Sequence, residues 1–401
     1  RVLDKAGIDA PESEFQGVKY WRLAADESEE MPIGIYVSVL EDHMAVGAYP
    51  LASEAEFLPP FLGVEMPSSD AAERLAALNA KHGYTPFGSG YMDLHRMADE
   101  FLDPEARTAR ALMSVESVEL DSFSEQCTTE LHGMIDNMPA MSFGLTAVDV
   151  KLFEYEALFE MPAALAAEIT ELVAPVPQVE GKAGTLGEFA FGVKVGAVRD
   201  FVSRKAQAIV DAPYQCEEFA DINEQASQLI ETMNQPIPPF VNNFRGLRLS
   251  IEHLVLNPSA EMPIPEDVRG LLAVHVEQPE MFVGMAQMFL PDLSSLTLAP
   301  GEPPVQIPES LLSMPGLVAY AAMSNDAIAM SVGDDVQNQL DGFLDQDAGP
   351  SGRLMSVDYD VATYSDYQLQ ILDNMQQDED EAMVAISRAS LEANRDNGDR
   401  N

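Results

Sequence analysis

The sequence predicts an α+β fold of two related domains, each a curved antiparallel sheet with helices packed on one face. Three observations carry this expectation. Four stretches change from strand to helix periodicity, two hairpin-like segments match each other without a gap, and the only two cysteines stand in similar surroundings.

The four stretches are "GYMDLHRMADEFL" (90–102), "FGVKVGAVRDFVSRKA" (191–206), "LAVHVEQPEMFVGMAQMF" (272–289) and "SVDYDVATYSDYQLQIL" (356–372). Each opens with apolar and polar residues in alternation and continues with apolar residues three or four apart, which reads as a strand feeding a helix. In the third, Pro279 stands where a first helical turn accepts proline. Asp93, Lys194, His275 and Asp360 occupy comparable places in the four units; all are polar, so that face is expected to meet solvent.

The hairpin candidates are "IYVSVLEDHMAV" (35–46) and "AYAAMSNDAIAM" (319–330). Tyr36 falls on Tyr320, Asp42 on Asp326 and Ala45 on Ala329, and Glu41-Asp42 and Asn325-Asp326 mark the turns. Each is followed by a short amphipathic helix, and further strand pairs are expected at 141–159 and 245–256.

Cys127 and Cys216 each precede a helix, strands and then a strand-to-helix unit. Ser124 caps the first helix, and Asp211 with Pro213 opens the second. The order of modules suggests a pseudo-two-fold relation near residue 210. The expected domains are 1–210, 211–375 and an acidic tail at 376–401, a short exposed helix ending in disorder. A disulfide between Cys127 and Cys216 is the leading expectation, ahead of two separately buried thiols and a reactive thiol at a helix N-terminus. A bridge would place the chain in an oxidising compartment.

Composition bounds function. The 401 residues carry 67 Asp and Glu against 22 Lys and Arg, a net charge of -45. Such a surface repels nucleic acid and anionic membranes and suits a salt-adapted or marine bacterium, where screening is strong. No apolar run approaches the roughly 18 residues that span a bilayer. The chain opens on Arg1, as a processed product or fragment would.

Chemistry-bearing motifs are few. None of the six histidines forms a metal-binding spacing. "DQDAGPSGRLMS" (345–356) begins like a calcium loop and then lacks its turn glycine and bidentate acid. "GKAGTLGEF" (181–189) precedes a strand, where a dinucleotide loop would follow one, and "FGSGY" (87–91) is no nucleophile elbow. No catalytic residue, metal or cofactor is assigned. Methionines cluster on two expected helices: Met281, Met285 and Met288, and Met134 and Met138. They suggest an apolar groove for a lipid-like ligand or protein partner, with core filling as the plainer reading.

The stretches "GYMDLHRMADEFL", "GLLAVHVEQPEMF" and "MPGLVAYAAMSNDAIAMSVG" resemble bacterial envelope proteins of unknown function with a duplicated sheet-and-helix domain, over residues 30–375. The resemblance implies export to the periplasm or cell surface, with a lipid anchor before Arg1 as one form of it, and no catalytic residues. The expected function is that of a non-enzymatic exported protein that binds an apolar ligand or protein partner, or acts as a scaffold. The alternative is a hydrolase whose carboxylates assemble only in the fold.

Overall fold

The computed structural model describes residues 12–23, 33–40, 44–65, 71–85, 88–103, 105–107, 109–110, 124–148, 153–179, 181, 185–256, 265–289, 291–312, 316–349, 352–374 and 381–398. The protein is α+β, with antiparallel sheets and helices in two compact units. One comprises residues 1–163 with 214–221, the other 164–213 with 222–401. The division does not fall at residue 210, because the strand at 187–192 pairs inside the sheet of the second unit.

The first unit opens with a four-stranded sheet in the order β1 (Glu12–Phe15), β2 (Val18–Leu23), β3 (Ile33–Val39), β4 (Met44–Pro50). Gln16 and Gly17 link β1 to β2 with φ of 49° and 88°, the positive pair that a two-residue type I′ turn requires. Helix α1 (Glu54–Phe61) packs on the sheet; Tyr36, Tyr20, Tyr49, Leu58 and Leu62 form the core beneath it. Tyr36 is fully buried and stacks on Tyr49 with ring centroids 4.1 Å apart. Its hydroxyl donates to Glu54 Oε2 at 3.0 Å, and the same oxygen accepts from Arg22 Nη1 at 3.0 Å. Burial, then the Glu54 carboxylate, hold the Tyr36 hydroxyl well above the ordinary tyrosine range.

Helix α2 (Ala71–His82) leads to a three-stranded sheet of β5 (Ser89–Asp93), β6 (Ala140–Val148) and β7 (Phe153–Glu160). Helices α3 (Leu94–Leu102) and α4 (Glu125–Ile135) lie between β5 and β6 in the chain. Asp93 Oδ1 caps α3 by accepting from Arg96 N at 3.1 Å, and Ser124 Oγ caps α4 by accepting from Cys127 N at 3.1 Å.

The second unit contains α5 (Ala163–Glu171), β8 (Gly187–Gly192), α6 (Val195–Asp211), α7 (Ala220–Met233), α8 (Pro239–Asn242), β9 (Phe244–Leu256), β10 (Pro265–Val276), α9 (Pro279–Phe289), β11 (Val305–Gln306), β12 (Ala319–Met323), β13 (Ala327–Val332), α10 (Leu340–Leu344), β14 (Met355–Asp358), α11 (Val361–Asn374) and α12 (Glu381–Gly398). Its sheet runs β11-β12-β13-β10-β9-β8-β14. All four predicted strand-to-helix units are present, as β5–α3, β8–α6, β10–α9 and β14–α11, and Pro279 is the first residue of α9. Residues 245–256 are not a strand pair but lie within the single strand β9, flanked by β8 and β10. The tail is not a separate element: α12 packs against α11, with Arg395 Nη1 3.7 Å from Asp366 Oδ1.

The two hairpins share one register. Tyr36 pairs with Gly47 and Val39 with Met44; Tyr320 pairs with Ser331 and Met323 with Ile328, each 284 residues on (320 − 36). The Glu41-Asp42 turn lies outside the described residues. The settings differ. In the first hairpin Val39, Met44 and Val46 are exposed; in the second, Ala321 and Met323 on the matching face are buried. Among the described residues the sheets do not repeat as whole domains, since the first unit holds a four-stranded and a three-stranded sheet and the second a seven-stranded one.

The seven-stranded sheet carries helices on both faces rather than one. On one face Leu271, Ala273, Ala322 and Ala329 pack under Leu340 and Phe343 of α10; on the other, Ala321, Ile328 and Met330 meet α9. Strands apolar on both sides must be covered on both. His275 shares the α10-side alternation with Leu271 and Ala273 and is only 5% exposed, so the expected solvent face is core. Asp93 and Asp360 are polar for a different reason: each caps a helix, Asp360 Oδ1 accepting from Thr363 N at 2.9 Å.

With 67 acidic side chains against 22 basic ones, thermal stability should rise with sodium chloride. Screening shortens the Debye length from about 10 Å at 0.1 M to about 3 Å at 1 M and weakens the repulsion that favours chain expansion. A melting temperature that is flat or falling over that range would contradict salt adaptation.

Candidate functional site

Alternation sorts the residues of the seven-stranded sheet onto two faces. One face is small and polar: Ser356, Ala190, Arg248, Ala273, Ala329 and Ala322 follow one another across the strands. Arg248 is buried there, its guanidinium 4.1 Å above the Phe343 ring and donating to the Phe343 carbonyl at 3.1 Å. Glu188 is buried on the same side and accepts from Ser250 Oγ at 3.3 Å and Gly181 N at 3.0 Å. His275 is here too; burial, reinforced by the Arg248 charge and opposed by Asp326, lowers its pKa to about 4, so it is neutral at pH 7.

The opposite face is large and apolar. Val357 pairs with Phe189, Phe189 with Leu249, Leu249 with Leu272, Leu272 with Met330, Met330 with Ala321 and Ala321 with Val305. Every strand contributes one apolar side chain to this row, which spans roughly 29 Å at about 4.8 Å per strand. A second row, Met355, Phe191, Leu247, Val274, Ile328 and Met323, runs beside it. The first row is incompletely covered: Val357 is 57% exposed, and Phe189, Leu249, Leu272 and Met330 are half-buried.

Two hollows open on this face. The larger, about 470 Å³, lies over Phe189, Leu249 and Ile251 at the β14 edge, where Tyr359, Tyr364 and Tyr367 also line it. The smaller, about 200 Å³, lies between α9 and the β12–β13 hairpin and is lined by Phe282, Ala286, Leu298, Ile328 and Met330 among others. A third hollow of about 420 Å³ is polar, bordered by Lys194, Arg199 and Arg245. Its cations are already engaged: Lys194 donates to the Glu171 carbonyl at 3.2 Å, Arg199 to the Gln235 carbonyl at 2.9 Å, and Arg245 pairs with Glu277.

The methionines singled out by helical spacing fall elsewhere. The hollow beside α9 uses Phe282, Val283, Ala286 and Gln287, whereas Met281, Met285 and Met288 occupy other positions of that helix and Met288 is 79% exposed. Met134 on α4 and Met138 beyond it, the latter 40% exposed, belong to the first unit. The tyrosine-lined hollow was not anticipated. Its signal was "DYDVATYSDY", in which Tyr364 and Tyr367 sit three apart on one helix just after strand residue Val357.

Cys127 and Cys216 form a disulfide within the first unit, 89 residues apart in sequence. Both are 3% exposed. Glu130 holds the second cysteine in place, accepting from Gln215 N at 2.9 Å and Cys216 N at 3.0 Å. Glu218 Oε2 lies 2.9 Å and 2.8 Å from the two sulfurs, so among the described residues these three side chains bring three ligand-type atoms within 4.8 Å of one another. As a disulfide its sulfurs are not thiolates and do not bind a metal as ligands.

No described helix is long and apolar enough to cross a membrane. No protein-family model, curated protein or solved structure matches the chain.

Proposed function

We propose that this is an exported binding protein whose second unit holds an elongated apolar ligand, with an acyl chain as the chemical class, against the large face of its seven-stranded sheet. The supporting observation is the unbroken apolar row from Val357 to Val305, half-covered and opening into two hollows. The larger hollow falls within the roughly 300–1,000 Å³ of small-molecule sites. Its wall is mostly apolar, with Glu188, Asp358 and three tyrosines as its polar side chains; an extended peptide would leave most of its amides unpaired there, whereas an acyl chain has none to lose. Tyrosines at the mouth suit the boundary between an apolar tail and a hydrated head. Glu188 and Asp358 border the larger hollow, but the Glu188 carboxylate is already engaged by Ser250 Oγ and Gly181 N, so binding is a better reading than carboxylate-based hydrolysis. The disulfide supports an oxidising compartment and hence export.

The test is binding of a neutral fluorescent long-chain acyl ester, together with mass spectrometry of lipid that co-purifies. Val357→Glu, at an exposed edge position, should weaken binding at least tenfold, about 1.4 kcal/mol, by placing a charge beside the apolar row. No binding by the native protein, or binding indifferent to Val357→Glu and to Tyr364→Glu, would overturn the reading.

A further inference from the structure

The first unit carries a second, unrelated arrangement. The sequence H-x-M-x-D occurs twice, as His95-Arg96-Met97-Ala98-Asp99 and His132-Gly133-Met134-Ile135-Asp136. Within each copy the histidine and aspartate are four residues apart, on one side of a helix. The fold then crosses the copies. Strand β5 feeds α3, α4 feeds β6, and β5 pairs antiparallel with β6 at Asp93–Ala140, so the start of α3 meets the end of α4. His95 Nε2 consequently lies 3.1 Å from Asp136 Oδ1, and His132 Nε2 lies 3.0 Å from Asp99 Oδ1. The rings are nearly parallel, 11° apart with centroids at 5.0 Å, and their Nδ1 atoms face each other at 2.6 Å.

An ionised carboxylate only accepts, so each Nε2 donates to its aspartate, which leaves the two Nδ1 atoms facing each other with at most one hydrogen between them. Without a cation between them, two Nδ1 lone pairs 2.6 Å apart would repel. A positive charge between them resolves the conflict. We propose that His95 and His132 bind a divalent first-row transition ion, of the zinc and copper(II) class, through their Nδ1 atoms, with water completing its coordination. Carboxylates that fix the far nitrogen and raise the basicity of the near one are the usual outer partners of metal-bound histidines. Imidazole suits these ions, whereas magnesium and calcium prefer oxygen. Tetrahedral ligands at 2.0–2.1 Å stand roughly 3.3 Å apart, so the Nδ1 atoms need to part by about 0.7 Å and the rings, which face head-on, to turn so that both lone pairs meet the ion. The histidine side chains are 32% and 27% exposed, which leaves access for the ion and its waters.

The test is copper(II) titration of the whole chain in excess magnesium, which occupies surface carboxylates without competing for imidazole. One copper per chain is expected, with electron paramagnetic resonance showing coupling to two imidazole nitrogens. His95→Ala and His132→Ala should each abolish that two-nitrogen signal. Asp99→Asn and Asp136→Asn, at exposed sites where folding is tolerated, should keep it and weaken affinity 10–100-fold. Trp21, the single tryptophan and a residue of β2 in the first unit, reports by its fluorescence that each variant is folded. Absence of nitrogen coupling, a signal unchanged in folded His95→Ala and His132→Ala variants, or nitrogen-15 spectra showing only a proton shared between the rings in saturating copper(II) or zinc would each overturn the proposal.

Discussion

Replacing Cys127 and Cys216 by serine should destabilise the first unit by up to about 4–5 kcal/mol, the cost of releasing an 89-residue loop in the unfolded chain. That is a large share of the roughly 5–15 kcal/mol that holds a typical domain together. The bridge ties the short return segment Tyr214–Asp221 to α4, and Cys216 is the one buried residue of that segment, with Tyr214 and Phe219 half-buried. Glu130 offsets part of the loss, because its hydrogen bonds from Gln215 N and Cys216 N survive when the sulfurs part. The loss should therefore be greatest in the double variant Glu130→Ala with reduced cysteines, and smaller with either change alone. Trp21 fluorescence during urea unfolding, with and without reductant, reads the first unit selectively. A shift below about 1 kcal/mol on reduction would show that the bridge does not constrain folding.

Much of the local structure was readable because its causes are local. The change from period two to period 3.6 marks β5–α3, β8–α6, β10–α9 and β14–α11 within a dozen or so residues each, and no distant contact is needed to decide it. The matched register of the two hairpins likewise follows from turn position and alternation. The Cys127–Cys216 pairing came from equivalent placement, since each cysteine opens a helix ahead of a strand pair. Burial was less readable. His275 looked like Asp93 and Asp360, yet those aspartates are helix caps while His275 lies mid-sheet under α10; polarity alone does not separate a cap from a core residue. The Gln16-Gly17 turn went unread because glutamine is not a customary turn residue, although its positive φ is what the tight link demands.

The site residues were hidden for another reason. The apolar row from Val357 to Val305 collects one side chain from each of seven strands, so it exists only once strand order is known. The histidine pair depends on β5 meeting β6 in a single register, across a sequence separation of 37 (132 − 95), although the repeated H-x-M-x-D was visible throughout. Methionine stripes misled for the converse reason. A stripe at helical spacing shows that one side of α9 is apolar, but the hollow is lined by the neighbouring side, through Phe282 and Ala286.

The second large effect concerns acid. Stability of the second unit should fall by about 3 kcal/mol between pH 7 and pH 4 through His275 alone. Its folded-state pKa is about 4 against an ordinary value of 6.5, with burial as the main cause. Because the folded value is depressed, the unfolded chain takes up a proton as pH drops through 6.5 while the folded chain does not, so each step down in pH favours unfolding. The loss levels off below about pH 4, where both states carry the proton. Two charged groups act on the ring: Asp326 favours the protonated form and Arg248 opposes it, and burial outweighs both. The His275 Nε2 atom has no hydrogen-bond partner among the described residues, so no fixed contact offsets the cost of charging it. Surface carboxylates also titrate near pH 4, and their protonation relieves repulsion, so the absolute pH profile mixes opposite trends. The difference between the native protein and His275→Met isolates the histidine. The variant keeps a side chain of similar length in the sheet but cannot titrate, and its stability relative to the native protein should rise by about 3 kcal/mol across the same interval. Thermal unfolding followed by far-ultraviolet circular dichroism at closely spaced pH values, with Trp21 fluorescence separating out the first unit, measures that difference directly. Parallel curves for the two proteins would mean that His275 is protonated in the folded state and that the core beneath α10 is open to water.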